Sequence, residues 1–196
     1  MSHHIYTTPG FVVGSRNSGE ANKYFYIFTR ELGMVGASAQ GVRLIQSKLR
    51  YHTQDFSYSN FSLVRGRDVW RMTSVSNGSE LCEKLKEHKK VFVLYTTILA
   101  LLKRLLHGEE KHEDLFDAVR DGFIFLTTTK SKEETLRLFE CLMLLRILHL
   151  LGYIGKTKEL EDFLSSEWNE SLVIGVEKYK TKIVGEINRA LKESQL

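Results

Sequence analysis

The 196-residue chain contains only one proline and two cysteines, and it has no long uncharged apolar run. Two cysteines, Cys82 and Cys141, are too few for a disulfide framework or a four-thiolate zinc site. The most apolar stretch, residues 136–154, includes three charged side chains, whereas a membrane-spanning helix needs about 20 nearly uncharged residues. No basic segment followed by an apolar one opens the chain. We therefore expect a globular protein with no membrane partner, in the reducing cytoplasm.

Recognisable catalytic motifs are missing as well. Residues 10–14 (Gly-Phe-Val-Val-Gly) lack the Gly-Lys-Ser/Thr ending of a phosphate-binding loop, and no Gly-x-Ser-x-Gly elbow occurs. His107 and His112 flank an acidic turn at a spacing that matches no common zinc pattern. The carboxylates of residues 114–121 indicate a solvated helix face. These absences predict a protein that is not an enzyme and needs no cofactor or metal.

Positive charge is concentrated in the first part of the chain. Residues 1–78 hold nine Lys and Arg against four Asp and Glu, whereas residues 79–196 hold nineteen against twenty. Such asymmetry is one sign of a nucleic-acid-binding domain, although a solvated basic surface gives the same count. The hydrophobic pattern changes at the same place, which predicts two domains, residues 1–78 and residues 79–196.

The first of these domains is predicted to be a small β-barrel. Five short runs rich in β-branched and aromatic residues are separated by turn signals, and they cover residues 5–14, 24–30, 34–40, 61–64 and 69–75. Five short strands with little room for helix are typical of a barrel of the OB or SH3-like kind. Arg65-Gly66-Arg67-Asp68 indicates a hairpin turn in which Gly66 supplies a positive φ.

After residue 78 the apolar period becomes helical. Helices are predicted over residues 79–87, 90–106, 112–127, 131–151, 157–164 and 170–193. Ser79 is the expected N-cap of the first, and Ser131 with Glu134 forms a possible capping box. The expected fold class is therefore β plus α, with an N-terminal five-stranded barrel and a C-terminal all-α helical bundle.

Seven basic residues fall at loops or strand ends of the predicted barrel and are candidate phosphate contacts: Arg16, Lys23, Arg43, Lys48, Arg50, Arg65 and Arg67. Loops between the strands of an OB fold line its binding groove. Contacts to phosphate provide affinity without sequence choice. This part of the chain is thus predicted to bind nucleic acid.

Several short motifs also follow one another in a fixed order. They are residues 10–16 (Gly-Phe-Val-Val-Gly-Ser-Arg), 19–21, 28–33, 40–43 (Gln-Gly-Val-Arg), 47–50 (Ser-Lys-Leu-Arg), 54–56, 63–67, 70–74, 145–153 (ending Leu-Gly-Tyr) and 188–196. Together they resemble the RecO family of bacterial recombination mediators. The resemblance implies an OB fold, a helical domain, and a function without catalysis. It also implies binding and annealing of single- and double-stranded DNA, and loading of RecA, with RecR, onto strands coated by single-strand-binding protein (SSB).

The chain departs from the family pattern in two places. Many members carry a four-cysteine zinc motif after the Leu-Gly-Tyr helix, but residues 156–168 contain no cysteine, so zinc is expected to be absent. The usual Lys-Gly-Ala-Arg segment is Gln40-Gly-Val-Arg43 here. The lost lysine makes Arg43 a better candidate phosphate contact than Gln40.

The resemblance further implies that the helical domain binds the acidic, Phe-terminated tail of SSB. The candidate cations for this tail are Lys103, Arg104, Arg137 and Arg146. Leu142, Leu145 and Leu148 either supply apolar surface for the aromatic ring or form core. Arg146 interrupts an apolar helix, where an unpaired charge is costly, so we expect it to reach the surface, pair with an acid or bind an anion. Our hypothesis is that it lies at the rim of the tail pocket.

Two other functions without catalysis remain open on the residues alone. A barrel with basic loops also suits an RNA- or ribosome-associated OB protein. A protein-interaction adaptor is possible if the helical domain acts and the charge of the barrel is incidental. The order of the motifs favours the DNA mediator.

Overall fold

The computed structural model describes residues 4–76, 80–129, 132–164 and 167–194. Its strands are β1 (Ile5–Ser18), β2 (Asn22–Thr29), β3 (Gly33–Ala39), β4 (Tyr58–Arg65) and β5 (Trp70–Ser76). Its helices are α1 (Leu49–His52), α2 (Glu80–Lys86), α3 (Lys89–Leu105), α4 (Glu113–Thr128), α5 (Glu133–Leu150) and α6 (Glu170–Glu193). The predicted fold class, a five-stranded barrel followed by a helical region, is confirmed. The expected boundary at residue 78 and the caps Ser79 and Ser131 lie outside the described residues.

The five strands close into a barrel in the order β1-β2-β3-β5-β4. Only β3 and β5 run parallel, and their pairing is short, joining Ala37 to Trp70 and Ser38 to Arg71. Strand β1 extends beyond the predicted residues 5–14 because it pairs with two partners. Its first half faces β4 and its second half faces β2, with a register shift after Val12. This is the topology of an OB fold.

Alternating side chains of the strands fill the barrel. Phe25, Ile27, Phe61 and Leu63 are completely buried, as expected for large apolar residues on the inner face of a pleated strand. The same core includes Val42, which lies in the segment after β3. That segment is therefore fixed to the barrel at one of its apolar side chains.

The turn between β4 and β5 contains Gly66, as predicted, but the physical reason for a glycine at this position differs from the prediction. Gly66 is absent from the residues with positive φ in the described chain, so the predicted positive φ is wrong. A Cβ at Gly66 would lie 2.3 Å from the carbonyl oxygen of Val69, and the Gly66 amide donates to that same oxygen. Glycine is required here because the two backbone segments approach closely.

The chain divides into two compact units. The first consists of Met1–Lys84 and Thr96–Glu113, and the second of Leu85–Tyr95 and Asp114–Leu196. The second unit is all-α, and in it α5 packs against α6. The predicted helix over residues 157–164 is shorter, a 3-10 turn at Glu161–Leu164.

Helix α5 lies in the interior of the second unit. Its apolar side chains are buried around most of its circumference, including Leu142, Leu145 and Leu148. These three leucines are therefore core and supply no surface for a ligand. No helix in the described parts of the chain combines the length and the apolar character needed to cross a membrane.

Candidate nucleic-acid interface

A pocket of about 400 Å³ opens on the first unit beside β2. It is lined by Lys23, Val42, Arg43, Arg50, Thr53 and Gln54. Lys23 lies near the start of β2, Arg43 follows β3, and Arg50 belongs to α1. The structure thus brings three of the seven predicted phosphate contacts together, although they come from three separate places in the sequence.

The segment that carries Arg43 and Arg50 is held at its N-terminal end by hydrogen bonds from its backbone amides. The amide of Arg43 donates to the carbonyl oxygen of Ala21 at 3.0 Å, and the amide of Gly41 donates to Oδ1 of Asn22 at 2.9 Å. Burial of Val42 fixes the same end in the barrel core. The Arg43 side chain therefore starts from a well-defined backbone position.

Successive turns continue from there to α1. The amides of Leu44, Ser47 and Arg50 each donate to the carbonyl oxygen three residues earlier. At the far end the hydroxyl of buried Thr53 donates to the carbonyl oxygen of Leu49 at 2.7 Å. The hydroxyl of Ser59, on β4, donates to the carbonyl oxygen of His52 at 3.4 Å. Residues 41–53 therefore form a folded segment that is held to the barrel at both ends.

Two cations of the pocket, Arg43 and Lys23, contact neutral oxygens. Nη1 of Arg43 donates to the carbonyl oxygen of Gly19 at 3.0 Å. Lys23 Nζ lies 3.4 Å from the Ser15 hydroxyl, which in turn donates to Asp55 Oδ1 at 2.6 Å. A guanidinium has five N–H donors, so most of those on Arg43 stay available for another acceptor. Lys23 is half-buried and Arg43 and Arg50 are exposed, and the pocket lining holds no carboxylate. Three such cations are chemically suited to a phosphate group.

The other four predicted phosphate contacts do not line this pocket. Arg16 lies over the ring of Tyr24, 4.9 Å from its centroid. Lys48 precedes α1 and is largely exposed, as is Arg67 at the tip of the hairpin. Their proposed contacts to phosphate remain predictions.

Arg65 has an acidic neighbour that the sequence did not reveal. Its Nη2 lies 3.6 Å from Glu109 Oε2, and its guanidinium lies over the Trp70 ring at 5.6 Å. Glu109 also accepts a hydrogen bond from Trp70 Nε1 at 2.9 Å. Because Glu109 already offsets its charge, Arg65 is a weaker candidate for phosphate than Arg43.

The four candidate cations for an SSB tail do not lie in one unit. Lys103 and Arg104 belong to the first unit, where Lys103 Nζ lies 4.3 Å from the ring centroid of Tyr26. Arg137 and Arg146 belong to the second unit, where Arg137 lies 3.5 Å from Glu133. The assignment of Lys103, Arg104 and Arg137 to an SSB tail remains a prediction.

Arg146 lies inside the second unit, not at the rim of a pocket. It is 1% exposed, and it donates from Nε to the carbonyl oxygen of Phe163 and from Nη2 to that of Glu167. Its guanidinium also lies 4.1 Å from the centroid of the Trp168 ring. Burial lowers the pKa of Arg146 to about 10, so it stays charged at neutral pH. Backbone carbonyls and an aromatic face stabilise this charge where an acid or an anionic ligand was expected.

The second unit has a groove that the sequence analysis missed. It measures about 560 Å³, and its walls combine apolar and basic side chains from the start of α3, the end of α4 and the start of α5. Val91 and Leu136 are the apolar side chains, and Lys89, Lys90 and Lys132 are the cations. The two lysines at the start of α3 were the available signal, but nothing in the sequence indicated that Thr129, Lys132 and Leu136 would line the same groove.

Two carboxylates, Glu87 and Glu133, also line this groove. Glu133 pairs with Lys90, and a hydrogen bond from the Lys90 ammonium lowers the pKa of that carboxyl. Arg137 adds a second positive charge one turn along α5. The groove therefore carries more basic than acidic groups.

Groups of three or more His, Cys, Asp or Glu side chains with the geometry to hold a metal ion do not occur among the described residues. Cys82 is buried and Cys141 is half-buried, and burial raises the pKa of the Cys141 thiol. The expected absence of zinc remains a prediction.

Comparison with known proteins identifies the first unit. Residues 1–77 match the family model described as "Recombination protein O N terminal". Curated relatives include "DNA repair protein RecO" of Alkaliphilus metalliredigens, which is 29% identical over 81% of this chain and 61% of its own length.

Two further proteins named "DNA repair protein RecO" are similar. Those of Heliobacterium modesticaldum and Pelotomaculum thermopropionicum are each 30% identical over 76% of this chain, and the match covers 52% and 56% of their lengths. The chain thus spans between about half and three fifths of these relatives. With the barrel topology and the family model in agreement, residues 1–77 belong to the RecO family as its N-terminal domain.

Proposed function

We propose that this protein acts in DNA repair and recombination by binding DNA through the barrel. The observation that carries the proposal is the pocket formed by Lys23, Arg43 and Arg50, whose lining holds three cations and no carboxylate. Neutralising phosphates releases condensed counterions, which supplies affinity for a polyanion regardless of its sequence. The names of the relatives favour DNA over RNA as that polyanion.

The protein's role in this proposal is that of a mediator without catalysis. Binding two complementary strands through phosphate leaves their bases free to pair, so it supports annealing. With RecR, the protein would help to load RecA onto single strands covered by SSB. The nucleoid is the corresponding location.

The second unit would bind the acidic, Phe-terminated tail of SSB in its groove. Val91 and Leu136 provide an apolar wall for an aromatic ring, and Lys89 and Lys132 provide charges for the carboxylates of the tail. Among the earlier candidates, Arg137 lies beside this site, because it pairs with Glu133 of the groove lining. A role for Lys103 and Arg104 in tail binding remains a prediction.

Binding to matched oligonucleotides tests the first part of the proposal. We expect tight, salt-sensitive binding of single-stranded DNA in an electrophoretic shift assay, and weaker binding by Arg43→Ala. Arg189→Ala is the matched control, because it removes the same charge from an exposed position in the second unit. Annealing of complementary DNA strands, with and without SSB, is expected as well. A preference for RNA, without annealing of DNA, would favour the alternative of an RNA-associated protein.

Titration of a fluorescent SSB tail peptide tests the second part. Lys89→Gln with Lys132→Gln is expected to weaken the complex, whereas Lys178→Gln with Lys182→Gln, on α6, leaves it unchanged. Equal affinities of the two double variants would place the tail outside the groove.

A further inference from the structure

The folded segment beside the phosphate pocket exposes apolar side chains. Ile45 is 85% exposed, Tyr51 is 74% exposed and Leu44 is 56% exposed. Their neighbours Val42 and Leu49 pack toward the barrel core. Two apolar residues of the segment therefore pack against the barrel core, and three are exposed to solvent.

The exposure does not come from a loose backbone. Residues 41–50 form three successive hydrogen-bonded turns, and hydrogen bonds with Ala21, Asn22 and Ser59 hold the two ends of residues 41–53 to the barrel. Each such turn keeps its first and last Cα within about 7 Å, so Leu44 and Arg50 are within roughly 14 Å of each other. Stacked nucleotides rise about 3.4 Å each, so this distance corresponds to a few nucleotides of one strand.

Charge decides which partner fits this surface. Arg43 immediately precedes Leu44, and Arg50 immediately precedes Tyr51, and both arginines line the phosphate pocket. A nucleic-acid strand offers the complementary pair of features, a row of phosphates and a row of flat apolar base faces. Aromatic side chains next to cations are the usual platform for single-stranded bases.

We infer that Leu44, Ile45 and Tyr51 contact the unpaired bases of a single strand whose phosphates occupy the adjacent pocket. This inference rests on the proposed function and adds a base-contacting surface to it. Bases within a duplex are stacked and paired, so these contacts favour single strands over duplex. Nothing in the contacts selects one base, because every base has an apolar face.

An oligonucleotide with abasic sites separates the two kinds of contact, because it keeps the phosphates and lacks the bases. We expect the wild-type protein to bind an ordinary single strand about tenfold more tightly than an abasic strand of equal length, a factor typical of stacking on one aromatic ring. Tyr51→Ala, and separately Leu44→Ser with Ile45→Ser, reduce that ratio toward one and leave the salt dependence unchanged. Ile5→Ser is the matched control, since Ile5 is an exposed aliphatic residue on the same barrel outside the segment.

The outcomes distinguish this inference from the function on which it rests. If the wild type binds the ordinary and the abasic strand equally, with a steep salt dependence, the bases make no contact. The inference then fails, while the proposed function stands. If it binds neither strand with salt dependence, the proposed function fails. If the segment variants keep the wild-type ratio but lose binding to anionic phospholipid vesicles, the apolar side chains face a membrane and the inference is overturned. Thermal melting at the wild-type temperature confirms that the variants are folded.

Discussion

Arg43 and Arg146 show how differently the two units use an arginine. Arg43 lies at a pocket on the first unit, and its observed hydrogen bond goes to one carbonyl oxygen. Arg146 is enclosed in the second unit, with two carbonyl oxygens and the face of Trp168 around it. The first arginine has donors left for a ligand, and the second mainly holds the protein together. Local partners, rather than net charge, decide which cations can bind a polyanion.

The largest effect that tests this comparison is on stability. We expect Arg146→Ala to lower the free energy of unfolding by about 2–5 kcal/mol, because it leaves a cavity and removes the donor to the buried carbonyl of Phe163. Urea denaturation measures this change. Arg137→Ala, at an exposed position of the same helix, is expected to change it by about 0.5 kcal/mol or less.

Arg146 is also expected to have no part in DNA binding. At a temperature where Arg146→Ala is folded, its affinity for single-stranded DNA is expected to equal that of the wild type. A stable variant with lost affinity would show that the buried arginine binds the ligand after all.

The next effect compares two cations within one segment. Arg50 lines the pocket, whereas Lys48, two residues earlier, does not. We expect Arg50→Gln to weaken binding of single-stranded DNA by roughly fivefold to tenfold at 0.1 M salt, the size of one lost phosphate contact. Lys48→Gln is expected to weaken it less, as measured by fluorescence anisotropy. The reverse order would move the interface out of the pocket.

The smallest expected effect concerns Arg65 and its acidic neighbour. Glu109→Gln removes the charge that faces Arg65 and keeps an oxygen to accept the hydrogen bond from Trp70. Exposed ion pairs contribute about 0.2–1 kcal/mol, so releasing Arg65 is expected to raise DNA affinity by about twofold. If the same assay shows unchanged affinity for Glu109→Gln, the hairpin lies outside the interface.

The local patterns of the sequence predicted the elements of the fold well. Alternation of apolar residues located the barrel strands, and helical spacing located α3, α4 and α6, because each pattern reports which face is buried. The true length of β1 could not be predicted in this way. Its pairing with both β2 and β4 depends on how the barrel closes, which is a contact between distant parts of the chain.

The candidate site was predicted only in part, for the same reason. Residue type and position indicated Lys23, Arg43 and Arg50, but their meeting in one pocket depends on the tertiary fold. The carboxylate beside Arg65 comes from Glu109, 44 residues later in the chain. The burial of Arg146 depends on a segment that folds over α5. The sequence indicated that an unpaired charge in an apolar helix is costly, so Arg146 needs a partner. It could not indicate that this partner would be carbonyl oxygens.

The most direct test of the account is the salt dependence of DNA binding. The observed association constant for single-stranded DNA is measured over a range of salt concentrations for three proteins. They are the wild type, the pocket variant with Lys23, Arg43 and Arg50 all replaced by Gln, and a control with Lys178, Lys182 and Arg189 replaced by Gln. Each phosphate contact contributes about 0.7 to the slope of log K against log salt for a single strand. We predict that the pocket variant loses about 2 from the steepness of that slope while the control keeps the wild-type value. Equal slopes for the pocket variant and the wild type would contradict the account.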